Sequence, residues 1–355
     1  MSLVHFVLPD GIDDPARPSG GNAYDRRLCG GLASSGWSVR EHPVPGSWPR
    51  PDAASLAALD QVIQGIPDEA VVLIDGLVAS TAPEVLVPQA SRLRMVVLVH
   101  MPLGHHPPYE LADEIGMRER AVLSASDALV TTSAWARRRL LELYPLPPER
   151  VHVAEPAVDA AELAAGTEAG ERLLCVAAVT FDKGHDVLLD ALASVTDLSW
   201  QCVCVGSMDR DPAFVEGLLE RARASGLGDR VRFAGPRTGA DLDRSFAAAD
   251  LMVLASRAET YGMVVIEALA RGLPVVATDV GGLAEALGYA GDHGRPGLLV
   301  APDDPATLGA ALRSWLGDAA LRGRLRRAAR ERRQSLNGWS TTTSIVAGVL
   351  TGASR

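Results

Sequence analysis

Lysine is nearly missing from this chain. Of 34 basic residues one, Lys183, is a lysine and the rest are arginine. Aromatic residues are scarce, at 5 %, there are four cysteines, and no run of 18 or more apolar residues occurs. Each shortage excludes something. Without a long apolar run, no segment reads as a membrane-spanning helix. Residues 1–10 have no basic stretch and no cleavage site, so they read as a first buried strand rather than a signal peptide. The formal net charge of -10 argues against general nucleic-acid binding. Cys175, Cys202 and Cys204 lie in apolar, strand-like runs, and with Cys29 they read as buried reduced thiols of a cytoplasmic protein. Cys202-Val-Cys204 is a weak metal signal, because a strand turns both side chains to one face and no second ligand pair is in view.

What is present is apolar content, 47 % over 355 residues, enough for two domains with a core each. Apolar, β-branched runs alternate with helical patterns throughout, the mark of an α/β fold with parallel sheets. In the first half, strands are expected at 4–8, 71–74, 95–100, 128–131 and 151–154. Helices are expected at 22–35, 111–124 and 134–144. Residues 155–171, rich in Ala, Gly and Glu, read as an interdomain linker. The alternation then restarts, with strands at 173–177, 202–206, 231–234, 251–255, 275–278 and 297–300. The expected domains are 1–160, completed by a last segment at about 338–355, and 170–337. Two doubly wound halves bind ligands beyond the carboxyl ends of their strands, and halves that face each other would place the site in the cleft between them.

Four segments carry candidate chemistry. The first runs Arg257-Ala-Glu259-Thr-Tyr261-Gly262-Met263-Val264-Val-Ile-Glu267 and leads into Gly272-Leu-Pro-Val-Val-Ala-Thr278. The N–H groups of Gly262, Met263 and Val264 at a helix start would face a diphosphate, with the dipole adding positive potential and no metal required. Glu259, on the loop before, can accept hydrogen bonds from sugar hydroxyls, and Glu267, inside the helix, can bridge the two hydroxyls of a ribose. The second is Phe181-Asp182-Lys183-Gly184, where Lys183 would leave a strand-to-helix turn to neutralise phosphate oxygens; a compact ammonium suits that task in a chain that otherwise uses arginine. The third is Gly20-Gly21, a loop opening the first helix, where a second phosphate contact is plausible on its position alone. The fourth is His100-Met-Pro-Leu-Gly104-His105-His106, in which His100 leaves a strand tip as a polar residue of the site, while His105 and His106 read as loop residues. Asp209-Arg-Asp211 and Asp241-Leu-Asp243 have the spacing of a cation clamp but read as helix caps. A helix at 319–334 carries seven arginines and reads as a solvated face, with contact to anionic lipid the lesser alternative.

These residues together resemble a known family. Lys183-Gly184 after a strand, Val205-Gly206, Val231-Arg-Phe-Ala-Gly235, Ala249-Asp250 through Glu267-Ala, and Gly281-Gly282 are similar to the retaining GT-B glycosyltransferases of family 4, the group 1 set. The likeness spans nearly the whole second half; Gly20-Gly21, His100 and Thr132-Ser133 extend it more loosely into the first. The resemblance implies a GT-B fold of two Rossmann-like domains facing a central cleft. It implies transfer of a hexose-type sugar from a UDP- or GDP-sugar to a hydroxyl acceptor, which could be a small molecule, a glycan or a lipid-linked chain, with no cofactor and no metal. Under it, Lys183 binds the donor diphosphate, Glu267 the ribose, Glu259 the hexose, and the backbone after Tyr261 the phosphates. Gly20 and Gly21 approach the donor phosphate, and His100 lies near the anomeric carbon. One position departs from the pattern: the arginine expected five residues before Lys183 is Ala178, and Arg257 is the candidate to replace its charge. Two other classes fit the same residues, an epimerase acting on the free nucleotide sugar and a binding protein whose site has decayed.

Overall fold

Short runs such as Val71–Asp75, Leu251–Leu254 and Val275–Thr278 are buried along their whole length, which marks strands covered on both faces. They form two all-parallel sheets in the computed structural model, which describes residues 2–105 and 112–354. His106 and Leu111 lie outside the described residues, as does the side chain of His105.

The first sheet holds β1 (Leu3–Pro9), β2 (Ser38–Val44), β3 (Val71–Asp75), β4 (Arg94–Val99), β5 (Ala128–Thr131) and β6 (Val151–Val153), in the order β2-β1-β3-β4-β5-β6. The second holds β7 (Arg172–Val176), β8 (Gln201–Val205), β9 (Val231–Phe233), β10 (Leu251–Leu254), β11 (Val275–Thr278) and β12 (Gly297–Val300), in the order β12-β11-β10-β7-β8-β9. The second order reverses direction between β7 and β10, and a doubly wound sheet binds its ligand outside the strand ends at that reversal. The expected α/β architecture of two doubly wound halves is therefore the one observed. The strand at 38–44 is an addition to the sequence reading. It is an edge strand, mostly exposed, and contains Pro43, so it shows no apolar alternation to read.

By contacts the chain divides into unit 1, Met1–Asp13, Gly21–Pro156 and Trp339–Arg355, and unit 2, Asp14–Gly20 and Ala157–Gly338. The short segment Asp14–Gly20, read from sequence as part of the first half, thus goes with unit 2. There Arg17 Nε donates to Asp209 at 3.0 Å, and Arg210 donates to the Arg17 carbonyl at 3.2 Å. The final helix, Trp339–Ala353, packs on β3, β4 and β5 of unit 1. Thr342 Oγ1 donates to the Glu155 carbonyl at 2.7 Å.

The arginine-rich helix Ala319–Arg333 is not simply a solvated face. Arg322 donates to the carbonyls of Trp315 and Leu316, Arg326 to Thr167, Arg332 to Leu287 and Arg333 to Ala161. Guanidinium forks thus hold residues 161–167 of the expected linker against unit 2, where Ala164 N also donates to the Arg271 carbonyl at 2.9 Å. Asp211 caps the helix Pro212–Ala224 as expected, through Phe214 N. Asp241 does not cap: Thr238 is the N-cap of the helix Gly239–Ala247, and Asp241 sits in its first turn, paired with Arg244. Among the described residues no helix is long and apolar enough to cross a membrane.

One buried acid organises the loop after β4. Glu119 is fully buried in the helix Ala112–Ala125, and its carboxylate accepts from Leu103 N and Gly104 N, both at 3.0 Å. It also accepts from Ser80 Oγ at 3.0 Å and Tyr144 Oη at 2.6 Å. Four donors make this burial affordable. Glu119→Ala leaves all four without their acceptor and is expected to cost about 3 kcal/mol or more in urea unfolding; a loss below about 1 kcal/mol would show that the network is dispensable.

Candidate functional site

The reversal point of the second sheet is built from two loops that nearly merge. After β7 the chain makes a short turn, Phe181–Lys183, and ends it at Gly184 with a positive φ of 63° before the helix His185–Ala193. A Cβ on Gly184 would stand 1.9 Å from the carbonyl oxygen of Ala255, just past β10. Only glycine meets both demands. Arg257 N donates to the Asp182 carbonyl at 2.8 Å, which joins the two loops again. The loop after β11 closes the third side. Gly281, φ 57°, would carry a Cβ 1.5 Å from the Glu259 carbonyl, and Gly282 N donates to that carbonyl at 3.1 Å.

This scaffold brings Lys183 and Glu259 together. Lys183 Nζ donates to Glu259 Oε1 at 2.6 Å, with the side chains 27 % and 14 % exposed. Ser256 Oγ donates to the same oxygen at 3.2 Å, and Thr278 Oγ1 donates to the Ser256 carbonyl at 2.5 Å. Beside the pair, Gly262 (φ 89°) is the N-cap of the helix Met263–Ala270. Val265 N is taken by the Gly262 carbonyl at 2.9 Å, while the N–H groups of Met263 and Val264 have no partner among the described residues. Val265, Ile266, Ala268 and Leu269 are buried, which leaves Met263, Val264 and Glu267 as the half-buried face of the helix. Burial pushes the Glu267 carboxyl above its ordinary range; the charge of Arg271 opposes this, and Asp243 and Asp159 add to it. Tyr261 is buried in the core of unit 2. Gly20, in the segment that clusters with unit 2, lies against Met263, with 3.3 Å from a Cβ there to the thioether sulfur.

Arg257 is committed elsewhere. Its fork takes both carboxylate oxygens of Asp186, at 2.9 and 2.8 Å, its Nε donates to Asp303 at 2.6 Å, and its Nη1 also donates to the Phe181 carbonyl at 2.7 Å. Its guanidinium lies 3.9 Å over the Phe181 ring. Hydrogen bonding to Arg257 holds the Asp186 carboxyl below its ordinary range against the opposing pull of burial. In this structure Arg257 clamps the Lys183 turn rather than filling the charge missing at Ala178. Asp186 and Ser256 did not stand out in the sequence, because their role is to position other side chains.

Unit 1 holds the other candidates. Gly21 lies against the His100 ring, 3.4 Å from a Cβ there to Cδ2. His100 follows β4, and its Nε2 donates to Asp25 Oδ1 at 2.8 Å, with Asp75 Oδ2 at 3.4 Å. Neither acid was singled out from sequence; Asp75 ends a buried strand, which is a usable signal, while Asp25 sits mid-helix and gives none. A cavity of about 610 Å³ lined in part by Arg94, Asp127, Arg150 and Ile345 opens at the amino ends of β4 and β5, away from His100.

The cysteine reading needs one correction. Cys204 does have further ligand types near it: Cys175 is its cross-strand partner, His185 Nε2 stands 3.7 Å from Cys175 Sγ, and the three ligand atoms lie within 4.8 Å of one another. His185 Nδ1 is buried without a partner among the described residues, whereas a metal-bound imidazole ordinarily donates its other N–H. The four cysteines are free and buried.

Comparison with known proteins covers both units. Residues 15–162 match the family model described as Glycosyltransferase Family 4, and residues 170–318 match Glycosyl transferases group 1. D-inositol 3-phosphate glycosyltransferase 1 of Catenulispora acidiphila is 33 % identical over 271 residues, 70 % of this chain and 62 % of that protein. The chain spans about three-fifths of the length of the curated relatives it matches first. Sucrose-phosphate synthase from Thermosynechococcus elongatus shares the fold with a TM-score of 0.81 at 22 % identity, over 99 % of each chain. Anabaena HepE, solved in complex with UDP-glucose, has a TM-score of 0.78 at 16 % identity, over 99 % of this chain and 100 % of its own.

The clamp on the Lys183 turn makes a prediction. Lysine cannot reproduce the bidentate, stacked geometry of Arg257. Arg257→Lys should lower unfolding free energy in urea by about 1.5 kcal/mol or more; a change within about 0.3 kcal/mol would leave the clamp without energetic content.

Proposed function

The chain belongs to the group 1 glycosyltransferases of the GT-B fold, and on that premise we propose that it moves a hexose-type sugar from a UDP- or GDP-sugar to a hydroxyl acceptor, with retention at the anomeric carbon. The observation that carries this reading is the Lys183–Glu259 pair at the reversal point of the second sheet, beside a helix start where two N–H groups have no partner among the described residues. In this reading unit 2 takes the donor. Its diphosphate lies on the Met263 and Val264 amides, Lys183 turns its charge from Glu259 to a phosphate oxygen, and Glu259 is released to accept from sugar hydroxyls. Glu267, on the half-buried face of the same helix, holds the ribose. Unit 1 provides the acceptor side. The phosphorylated inositol in the name of the Catenulispora relative makes phosphorylated polyols the first acceptors to try.

Charge grows on the diphosphate as the bond to the anomeric carbon breaks. An ammonium and two amides already in place stabilise that charge more than the ground state, which is where rate is gained. The acceptor oxygen attacks from the face the diphosphate leaves, and its proton passes to the departing phosphate oxygen. No metal is part of this reading. We assign the protein to the cytoplasm, which its free buried cysteines support.

The test begins with binding. A panel of nucleoside diphosphates and their sugars should raise the melting temperature of the wild type, and much less that of Glu267→Ala. With the donor so found, Lys183→Ala or Glu267→Ala should cut turnover at least tenfold, about 1.4 kcal/mol of transition-state binding. Near-wild-type turnover in both would remove the assignment. Anomeric configuration of the product by NMR decides retention, and conversion of donor alone to an isomer would point to an epimerase instead. Ribose hydroxyls need Glu267 ionised, and its carboxyl titrates above the ordinary range. Donor affinity should therefore weaken as pH falls, beginning above that range, and the trend should vanish in Glu267→Gln.

A further inference from the structure

Unit 1 buries two carboxylates against one imidazole, and nothing in the donor chemistry accounts for them. Asp25, on the helix Gly20–Ser34, is 1 % exposed and Asp75, at the end of β3, is 4 % exposed; His100 is 14 % exposed. Asp25 caps no helix. Its Oδ1 accepts from His100 Nε2 at 2.8 Å, and a carboxylate oxygen of Asp75 lies within 4.8 Å of its own. Asp75 spends one oxygen on Leu77 N, at 2.7 Å, and turns the other to His100 Nε2 at 3.4 Å. Two acids this close and this dry cannot both be ionised unless a cation stands with them. The group that touches both and can be that cation is the imidazole.

We propose that Asp25 and Asp75 are positioning residues that hold His100 as an imidazolium, so that its Nδ1–H is a fixed hydrogen-bond donor to a ligand oxygen and not a base. The class of ligand group is an oxygen acceptor, a sugar hydroxyl or a phosphate oxygen; that the oxygen belongs to a transferase substrate rests on the function proposed above. With Nε2 committed to the acids, Nδ1 is the nitrogen left to serve the ligand. The neighbours fix the ring further. Tyr24 meets it edge-on at 5.3 Å between centroids, with its hydroxyl donated to the Ala154 carbonyl at 2.9 Å. Trp339 backs Tyr24 at 5.6 Å, and Gly21 leaves room beside Cδ2. The titratable groups facing His100 are therefore Asp25, Asp75 and Tyr24. Burial alone would lower the imidazole pKa, but the charge and hydrogen bond of Asp25, with Asp75 behind them, raise it to about 9. Burial and the charge of Asp25 push Asp75 up to about 7.

The test follows the histidine C–H signals of the full-length, ligand-free protein by NMR, with His100→Gln to identify the resonance. In the wild type His100 should titrate near about 9, and in Asp25→Asn its midpoint should fall to about 6.5 or below. Asp25→Glu should recover most of the shift. Where Asp25→Asn does not fold, stability replaces the spectrum. The margin of wild type over His100→Gln should be full below about 6.5 and fade as pH rises through the folded value, because the raised group favours its protonated form. Wild-type titration at or below about 6.5, or a margin that grows with pH, overturns the proposal while leaving the transferase reading intact. So does selective broadening of His100 by substoichiometric Mn²⁺, which would mean that the acids hold a divalent cation. A high His100 midpoint in a protein that binds no nucleotide sugar would instead sink the transferase reading and keep this one.

Discussion

The close approach of three loops at the carboxyl ends of β7, β10 and β11 sets the terms for everything at the candidate donor site. Gly184 faces the Ala255 carbonyl, and Gly281 and Gly282 face the carbonyls of Glu259 and Thr260, at separations that admit no side chain. Backbone therefore lies on backbone, and two side chains from loops far apart in sequence, Lys183 and Glu259, meet at hydrogen-bond distance. The contact is a consequence of topology. The strand order reverses between β7 and β10, which sets the loops that follow them side by side at the strand ends where such sheets bind their ligands. Arg257 then ties the arrangement together, its fork on Asp186 and its Nε on Asp303.

Unit 1 shows two ways to bury a carboxylate. Glu119 is satisfied by four donors, two of them amides of the loop after His100, so it can stay where it is without a counter-charge. Asp25 and Asp75 have fewer neutral donors and rely on an imidazole. The first arrangement shapes a loop; the second fixes the state of a ring. Both sit near one end of the sheet, where β3 and β4 deliver Asp75 and His100.

Much of this was legible in the sequence, and what was not has physical reasons. The buried strands announce themselves as unbroken apolar runs, and the segment from Arg257 to Thr278 showed its helix start, its acids and its following strand. The strand Ser38–Val44 did not show, since an exposed edge strand containing Pro43 carries no periodicity. The arginines of the helix Ala319–Arg333 looked like solvated charge because their targets are backbone carbonyls, which have no sequence signature. Arg257 looked like a spare cation because the pairing with Asp186, 71 positions away, is made only by the fold. Asp25, Asp75 and His100 lie on three separate elements, and no spacing rule links them.

The scarcity of lysine acquires a practical meaning once Lys183 is seen to be 27 % exposed. Apart from the α-amine, a reagent selective for primary amines finds a single nucleophile on the polypeptide, and that nucleophile is tethered to Glu259. Acylation or reductive methylation would thus report on one position without mutagenesis, and isotopic labels introduced that way would read out the environment of the crevice directly.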